Sequence, residues 1–533
     1  MTHPLQLPCS EGVVLARKHV DAPCARADEK WILLSTIAGS SMAFIDGTVV
    51  NLALPALQRE LGATLTELQW IVEGYALMLA ALLLVGGALG DRLGRRRVFV
   101  AGVALFGSSS VGCALASGVP MLVAMRALQG VGGALLVPGS LALISASIPE
   151  ARRGRAIGVW SAFSAISSGL GLVLGGFLID ALSWSAIFWI NVPLAALTIL
   201  LALWKVPESK DEAATGPLDW GGAFLASAGL AGLTFGFVEA GHLGWSSAWV
   251  IGAIAGGALL LGAFIAVERR VESPLVPPSL FRSRGFTGAN LLTLFLYAAL
   301  AGSLFFLPLD LVQVQGYSAI EAGAATLPFV GLLFVLSRWS GGLVDRFGAR
   351  PPLLAGTLLA AAGMAALALP GVGGGYVATF FGPLIVLGLG MALAVAPLTT
   401  TVMSAVSADK AGAASGINNA ISRIASVLAV AVFGPVMLLV FQSSLDARLA
   451  ELGLTAEATA SVQQRSADLA GLVIPDAVPE SARDEVSAAV RAAFVDGFRV
   501  VALLCAGLSL AATACAALLI PAKLAPPATG SPE

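Results

Sequence analysis

Three ionisable side chains stand inside long apolar stretches of the sequence, namely Asp46, Glu73 and Arg126. A charge in the middle of a membrane-spanning helix costs about 2.5–3.5 kcal/mol, so such a residue normally faces the protein interior and has a partner there. Burial and a nearby arginine act on a carboxyl group in opposite directions, which can bring its titration close to neutral pH. The three residues therefore predict proton coupling. In this hypothesis Asp46 carries the proton, Arg126 tunes it, and Glu73 assists or contacts a cationic substrate.

The composition indicates that most of the chain faces lipid. Of the 533 residues, 57% are hydrophobic and only 12% are charged, and the mean hydropathy is +0.88. Soluble domains carry about 25% charged residues, so this chain has too little charge to cover a water-exposed surface. We expect an all-α integral membrane protein whose first partner is the lipid bilayer.

Several classes of function lack the residues that they need. The net charge of -2 and the absence of a basic tract give no indication of a nucleic-acid partner. The three histidines have no metal-binding spacing, so we predict neither a metal site nor a catalytic site. No lysine follows glycine as a nucleotide-binding P-loop requires. Without such a site or any cofactor, an ion gradient is the remaining source of energy.

Fourteen apolar runs are long enough to cross a bilayer, which takes about 20 residues each. Most of the 30 Lys and Arg residues fall in segments on the same side as the N-terminus, and positive charge marks the cytoplasmic side. We therefore expect a multi-pass protein of the cytoplasmic (inner) membrane with both termini in the cytoplasm. The runs lie near 31–55, 70–90, 97–117, 120–147, 155–180, 185–206, 219–240, 247–267, 288–312, 321–344, 351–370, 376–405, 414–441 and 496–521.

An internal repeat divides the chain. Segment 87–96 (GALGDRLGRR) recurs at 341–350 (GGLVDRFGAR), 254 residues later, and 130–137 (GVGGALLV) is echoed at 388–395 (GLGMALAV), 258 residues later. The copies are eight spans apart, so we expect two six-helix bundles separated by an inserted pair, with a substrate site between the bundles. The expected parts are a cytoplasmic tail (1–30), an N-terminal bundle (31–206), inserted helices 7 and 8 with flanking cytoplasmic loops (207–287), a C-terminal bundle (288–521) that includes an extracytoplasmic loop (442–495), and a second cytoplasmic tail (522–533).

Four spaced motifs lie in or beside the spans. They are Gly87-x-Leu-x-Asp91-Arg92-x-Gly94-Arg95-Arg96 after span 2, Phe44-Ile-Asp46-Gly-Thr-Val-Val-Asn51-Leu-Ala-Leu-Pro55 in span 1, Arg126-Ala-Leu-Gln129-Gly130-x-Gly132 in span 4, and Gly412-Ala-Ala-Ser-Gly416-Ile-Asn418-Asn419 with Arg423 in span 13. Together they resemble the major facilitator superfamily and, within it, the branch of fourteen-span drug:proton antiporters. The resemblance covers nearly the whole chain. It implies the major facilitator fold with 14 transmembrane helices, built as two six-helix bundles plus two inserted helices.

The resemblance also implies roles for residues of the motifs. The loop after span 2 and its second copy would latch the two halves together, which involves Gly87, Asp91, Arg92, Gly94, Arg95, Arg96, Asp345 and Arg346. Small residues would allow close helix packing and gating, namely Gly130, Gly132, Gly171, Gly175 and Gly176. Weaker candidates for the substrate path are Gln129, Asn51, Asn419 and Arg423. Span 5 departs from the family pattern, because Leu172 stands where the antiporter signature has a proline.

These observations predict a secondary active efflux transporter that exports lipophilic drugs or metabolites in exchange for protons, and so contributes to multidrug and antibiotic resistance. A periplasmic adaptor protein is a candidate partner. An exporter dedicated to one metabolite, or a facilitator or importer of the same fold, remains an alternative. A membrane enzyme would need a nucleophile with a base or paired acids at a membrane face, and no such set is present. A sensor with a transporter fold stays open.

Overall fold

The computed structural model describes residues 26–210, 219–271, 274–406 and 411–521, and every regular element within these ranges is helical. Twelve helices in this described part are long and apolar enough to cross a membrane. The long helices are α1 (Arg26–Leu61), α2 (Leu65–Leu93), α3 (Arg95–Ala114), α4 (Val119–Ser147), α5 (Glu150–Ala181), α6 (Ala186–Lys205), α7 (Trp220–Leu243), α8 (Ala248–Glu268), α9 (Arg284–Leu309, continued by a π-helical turn, Asp310–Val314), α10 (Ala319–Ala325 and Leu327–Gly341), α11 (Arg350–Ala366), α12 (Gly382–Ser404, after a π-helical turn, Val377–Phe381), α13 (Ala411–Glu451) and α14 (Arg483–Leu519).

The expected count of fourteen spanning helices is supported only as far as twelve. The two helices outside that set are α5 and α11. Helix α11 has 17 residues, and the apolar part recognised in α5 is the shorter stretch Gly169–Ala181. Helix α11 and the stretch Gly169–Ala181 are each shorter than the roughly 20 residues of a span, although α5 as a whole has 32 residues.

The repeat seen in the sequence reappears in the helix packing. In the first six helices α4 packs on α2 and α3, and α1 packs on α5 and α6. In the last six helices α12 packs on α10 and α11, and α9 packs on α13 and α14. The repeat extends to the first turns of the helices. The capping box of Thr64 and Glu67 on α2 recurs as Ser318 and Glu321 on α10.

The inserted pair lies against the junction of the two six-helix groups. Helix α7 contacts α2 from the first group and α13 from the second, whereas α8 packs mainly on α7. Close approach of α7 and α8 depends on small residues, since a side chain at Gly232 or Gly257 would meet the backbone of the other helix. The pair therefore covers one of the two seams between the groups.

The two groups are joined at the end that carries residues 452–482, here called the loop end. At the α2–α13 seam, Gln69 Nε2 donates to the Val430 carbonyl at 2.5 Å. At the α5–α10 seam, the Asp180 carboxylate accepts from the amides of Ala319 at 3.2 Å and Ile320 at 2.8 Å. The structure is thus closed between the groups at the loop end.

The segment between α13 and α14 is shorter and more ordered than a simple loop. Helix α13 continues to Glu451 and α14 begins at Arg483, and a helix (Ala456–Gln463) and 3₁₀ turns fill the space between them. The turn Ser466–Gly471 contacts helices of both groups. It is tied to α1 through Gln58 Nε2, which donates to the Asp468 carbonyl at 2.6 Å.

Candidate functional site

Asp46 and Arg126 meet in the interior of the first six-helix group. Asp46 on α1 has 0% of its surface exposed and Arg126 on α4 has 1%, and Arg126 Nη1 donates to Asp46 Oδ2. Arg126 Nε also donates to the Ile71 carbonyl on α2 at 3.1 Å. The structure therefore brings together the two residues that the sequence assigned to carrying and tuning the proton.

Gln129 completes this pair from the next turn of α4. Its Nε2 donates to Asp46 Oδ1 at 2.8 Å and to Ser110 Oγ at 2.9 Å, while its Oε1 accepts from Arg126 Nη1 at 2.7 Å. The sequence placed Gln129 in the substrate path, but the structure buries it completely between the two charges. Its geometry holds the carboxylate and the guanidinium in fixed positions.

Two members of this cluster were missed by the sequence analysis. Asn191 on α6 directs its Nδ2 towards Asp46 Oδ1 at 3.5 Å and Ser110 Oγ at 3.3 Å, and Ser110 belongs to α3. Both are fully buried. Isolated polar residues in apolar runs were the available signal. Together Asp46, Arg126, Gln129, Ser110 and Asn191 form what we call the polar core.

Aromatic rings enclose the guanidinium of Arg126. The Tyr75 ring lies 4.4 Å from its Cζ and the Phe188 ring lies 5.9 Å away. A cation over an aromatic face gains about 2 kcal/mol when it is desolvated. These rings partly replace the water that the cation has lost, and they keep bulk solvent away from the ion pair.

Close packing of α4 on its neighbours fixes the height of the polar core. A Cβ at Gly130 would overlap the Tyr75 carbonyl of α2, and one at Gly132 would come within 2.7 Å of the Phe106 amide of α3. Because these backbones touch, Arg126 and Gln129 can reach across to α1. Gly130 and Gly132 thus affect the polar core indirectly, because they set how closely α4 approaches α2 and α3.

Glu73 is buried but lies apart from the polar core. It follows Trp70, whose Nε1 donates to Glu239 of α7 at 2.8 Å, and it precedes Leu77, which packs with Leu230 of α7 and Val427 of α13. This register places Glu73 at the junction of α2, α7 and α13. Its side chain is 1% exposed, and neither carboxylate oxygen has a hydrogen-bond partner among the described residues. The structure does not join it to Arg126.

The loop after α2 makes contacts within its own half. Asp91 pairs with Arg95 at 2.7 Å, and Glu208 accepts from the amides of Arg96 at 3.0 Å and Arg97 at 3.3 Å, which caps the start of α3. Gly94 makes the turn with a φ of +115°, a conformation that favours glycine. Glu208 was not foreseen from the sequence.

The other latch residues make no hydrogen bond or ion pair with the opposite half within the part of the chain that the structure describes. A Cβ at Gly87 would lie 3.6 Å from Pro138 of α4, and Arg92 is half-buried. In the second copy, Arg346 is exposed and lies over the ring of Phe347 at 5.3 Å, while the Asp345 side chain falls outside the described part.

Helix α5 packs closely although it lacks the family's proline. A Cβ at Gly171 would lie 3.2 Å from Ile45 of α1, one at Gly175 would overlap Val49, and one at Gly176 would lie 2.6 Å from the Ala319 carbonyl of α10. The carbonyl of Leu172 itself lies against Gly323 of α10. The helix runs from Glu150 to Ala181 without a break, so its small residues alone permit the contacts.

The remaining substrate-path candidates are spread over α1 and α13. Asn51 is half-buried, and Asn419 is exposed with its amide donating to the Ser415 carbonyl at 3.1 Å. Arg423 is half-buried on α13 and makes no ion pair or hydrogen bond with any described residue. Of the three, only Arg423 is a charge without a partner.

Comparison with known proteins decides the family. The sequence pattern described as the Major Facilitator Superfamily matches residues 36–430. The chain belongs to the major facilitator superfamily. Among solved structures of this superfamily fold, a bacterial homologue of the human lysosomal transporter Spinster matches with a TM-score of 0.63 at 18% identity, covering 93% of this chain and 97% of that one. The shared fold is therefore established over almost the full length.

Relatives within the superfamily are named for resistance and export. The tetracenomycin C resistance and export protein of Streptomyces glaucescens is 35% identical over 408 residues, which is 76% of this chain and 75% of that protein. The multidrug resistance protein Stp of Mycobacterium tuberculosis is 35% identical over 428 residues, 78% and 77% of the two chains. The puromycin resistance protein pur8 of Streptomyces alboniger is 35% identical, covering 78% and 83%. These similarities support the resemblance to the drug:proton antiporter branch.

Proposed function

We propose that the chain is a secondary active exporter that moves lipophilic drugs or metabolites across the cytoplasmic membrane in exchange for protons. Export is supported by the relatives named for resistance to or export of tetracenomycin C, puromycin, methylenomycin A and cephamycin. Exchange with protons is supported by one observation above all, the fully buried contact between Asp46 and Arg126.

In this proposal Asp46 is the proton carrier. In the ionised form its two oxygens accept from Arg126, Gln129 and Asn191, so the charge is balanced within the polar core. When a proton adds to Asp46, the attraction to Arg126 is lost, and Gln129 Oε1 and the Ile71 carbonyl keep the guanidinium bonded. The contacts of α1 with α4 therefore differ between the two protonation states, which provides the link between proton binding and helix movement.

The loop-end closure defines the direction in which the transporter is accessible. We assign the loop end to the extracytoplasmic side and both termini to the cytoplasm, following the distribution of Lys and Arg. The structure then corresponds to a state closed towards the outside. In this scheme α5 and α11 also cross the bilayer, giving fourteen spans, because each packs within its group beside helices that meet the length criterion.

Two further sites have roles in this cycle. Glu73 is a second carboxyl whose surroundings change if α2 moves relative to α7 and α13, so its proton occupancy would follow that movement. The loop after α2, with Asp91, Arg92 and Arg96, would latch onto the opposite half in the state that is open to the outside, in keeping with its present contacts inside one half.

Proton-coupled export is tested by resistance and by transport. We expect expression in an efflux-deficient bacterium to raise the inhibitory concentration of at least one compound among tetracenomycin C, puromycin and a panel of lipophilic dyes. The Asp46→Asn variant should lose this protection and should also lose substrate-dependent proton flux in proteoliposomes. Glu451→Gln, which alters an exposed carboxyl at the end of α13, serves as the matched control. Full proton-coupled transport by Asp46→Asn would refute the assignment.

A further inference from the structure

The guanidinium of Arg423 faces the junction of the two six-helix groups. On α13, a Cβ at Gly416 would lie 3.3 Å from Leu84 of α2, and Val427 packs with Leu77 of α2. Arg423 is seven residues after Gly416 and four before Val427, a spacing that puts all three on the same face of a helix. It therefore projects towards α2 and not towards the lipid.

Two tyrosines, one from each six-helix group, interact electrostatically with Arg423. Arg423 is within electrostatic reach of Tyr75 on α2 and of Tyr297 on α9. Tyr75 is already engaged, because its hydroxyl donates to the Ala43 carbonyl at 3.3 Å and its ring lies under Arg126. The Tyr297 hydroxyl makes no hydrogen bond with a described residue, so it can donate to a ligand.

Arg423 differs from Arg126 in how its charge is balanced. Arg126 is saturated by Asp46, Gln129 and the Ile71 carbonyl. Arg423 has no such partner in the described part of the chain. Asp46 is bonded in the polar core, and the carboxylate of Glu73, at the junction of α2, α7 and α13, makes no hydrogen bond with a described residue. Arg423 is half-buried, so part of its side chain stays accessible. A half-buried arginine without a partner among the described residues can take a counter-ion from a bound molecule.

We propose that Arg423 binds an acidic group, a carboxylate or an ionised phenol, on exported substrates, and that Tyr297 donates a second hydrogen bond to it. This inference rests on the proposed export function and adds a substrate class to it. The position between the two halves is where transporters of this architecture bind their substrates. A planar guanidinium suits a carboxylate because it offers paired donors.

The test compares an acid with its neutral ester. We would measure proton-gradient-driven transport of 1-pyrenebutyric acid and of its methyl ester in proteoliposomes of wild type, Arg423→Gln, Arg423→Lys and Arg59→Gln. Arg59 is an exposed arginine at the end of α1 and is the matched control. We expect Arg423→Gln to lower transport of the acid about tenfold or more relative to the ester, since a hydrogen bond to a charged group is lost. Arg423→Lys should restore part of the difference.

A binding measurement keeps the inference testable if a variant transports poorly. Pyrenebutyrate should raise the Tm of wild type and of Arg59→Gln but not that of Arg423→Gln, while the unliganded variants unfold at similar temperatures. Equal losses for acid and ester, or an unchanged Tm response in Arg423→Gln, would overturn the inference. If wild type exports the ester or the dyes but not the acid, this inference fails while the export function stands. If no compound is exported, the proposed function itself fails.

Discussion

The two six-helix groups share a packing scheme but fill it differently. In the first group α4 carries Arg126 and Gln129 ahead of Gly130 and Gly132. In the second group the matching glycines of α12 are Gly388 and Gly390, each 258 residues later, and the same offset puts leucines at the positions of the arginine and the glutamine. These are Leu384 and Leu387, and both are fully buried.

The contacts show that these positions are equivalent in space. A Cβ at Gly130 would meet Tyr75 of α2, and one at Gly388 would meet Phe329 of α10. Gly132 lies on Gly102 and Phe106 of α3, and Gly390 lies on Gly356 and Ala360 of α11. The partner positions are again 254 residues apart. The two halves thus use the same backbone contacts, around a charged interior in the first group and an apolar interior in the second.

The fold therefore does not require the charges of Asp46 and Arg126. A buried ion pair is often no more stabilising than apolar residues of similar size, because desolvation offsets the attraction. The second group achieves the same packing with leucine. Its helix α9, the counterpart of α1, contains no acidic residue between Arg284 and Leu309. The close packing of α4 therefore does not depend on the polar core, in keeping with the role in proton coupling that we propose for it.

The largest effect is expected when the first group is made to imitate the second. A variant combining Asp46→Asn, Arg126→Leu and Gln129→Leu should fold but lose proton-coupled transport by about 100-fold or more, because no ionisable group remains in the polar core. Arg126→Leu alone should cost about 3–5 kcal/mol of stability, since it leaves the Asp46 charge buried and unpaired. Thermal unfolding and proton-driven uptake into inverted vesicles measure the two effects separately.

The reciprocal change is the control for this experiment. Leu387→Gln in the second group should lower stability by burying an amide without partners, and should leave proton coupling in place. Normal proton coupling in the triple variant, or loss of coupling in a normally folded Leu387→Gln variant, would contradict the assignment of proton coupling to the first group.

A smaller effect is expected from one methyl group on each copy of the glycine contact. In Gly130→Ala the new methyl overlaps the Tyr75 carbonyl, whereas in Gly388→Ala it lies 3.1 Å from the Phe329 backbone. Overpacking costs about 1–3 kcal/mol, so we expect Gly130→Ala near the upper value and Gly388→Ala near or below the lower one. Only Gly130→Ala should also displace Arg126 and reduce transport. Equal losses of Tm and of transport in the two variants would contradict this asymmetry.

The sequence was sufficient for the all-helical membrane fold and its internal repeat, whereas the expected fourteen spans are supported only as far as twelve. Apolar runs, the repeat of 87–96 at 341–350, and charges within spans are each readable without coordinates. The contact between Asp46 and Arg126 could be predicted because a buried charge needs a partner and the first group offered few.

The rest of the site depended on helix rotation, which sequence does not specify. Glu73 is two residues before Tyr75, so the two side chains lie about 200° apart around α2. Once Tyr75 faces Arg126, Glu73 must face α7 and α13. Ser110 and Asn191 could not be predicted for a related reason. Their small polar side chains reach Asp46 because of the way α3 and α6 cross.

The smallest expected effect concerns the seams between the groups. The starts of α2 and α10 carry the same capping box. Among the described residues, only the start of α10 donates backbone hydrogen bonds to a carboxylate of the other group, that of Asp180. An exposed carboxylate at a helix start is worth about 0.3–1 kcal/mol, so Asp180→Asn should shift the closed-to-open ratio at the loop end by about two- to fivefold towards the open form. Spin labels at Leu182 and Val372, both exposed at this end, would report the longer distance. Glu480→Gln, at an exposed site outside the seam, should leave the distances unchanged. An unshifted distribution in Asp180→Asn would mean that backbone packing at Gly176 alone closes this seam, which would make the two seams alike after all.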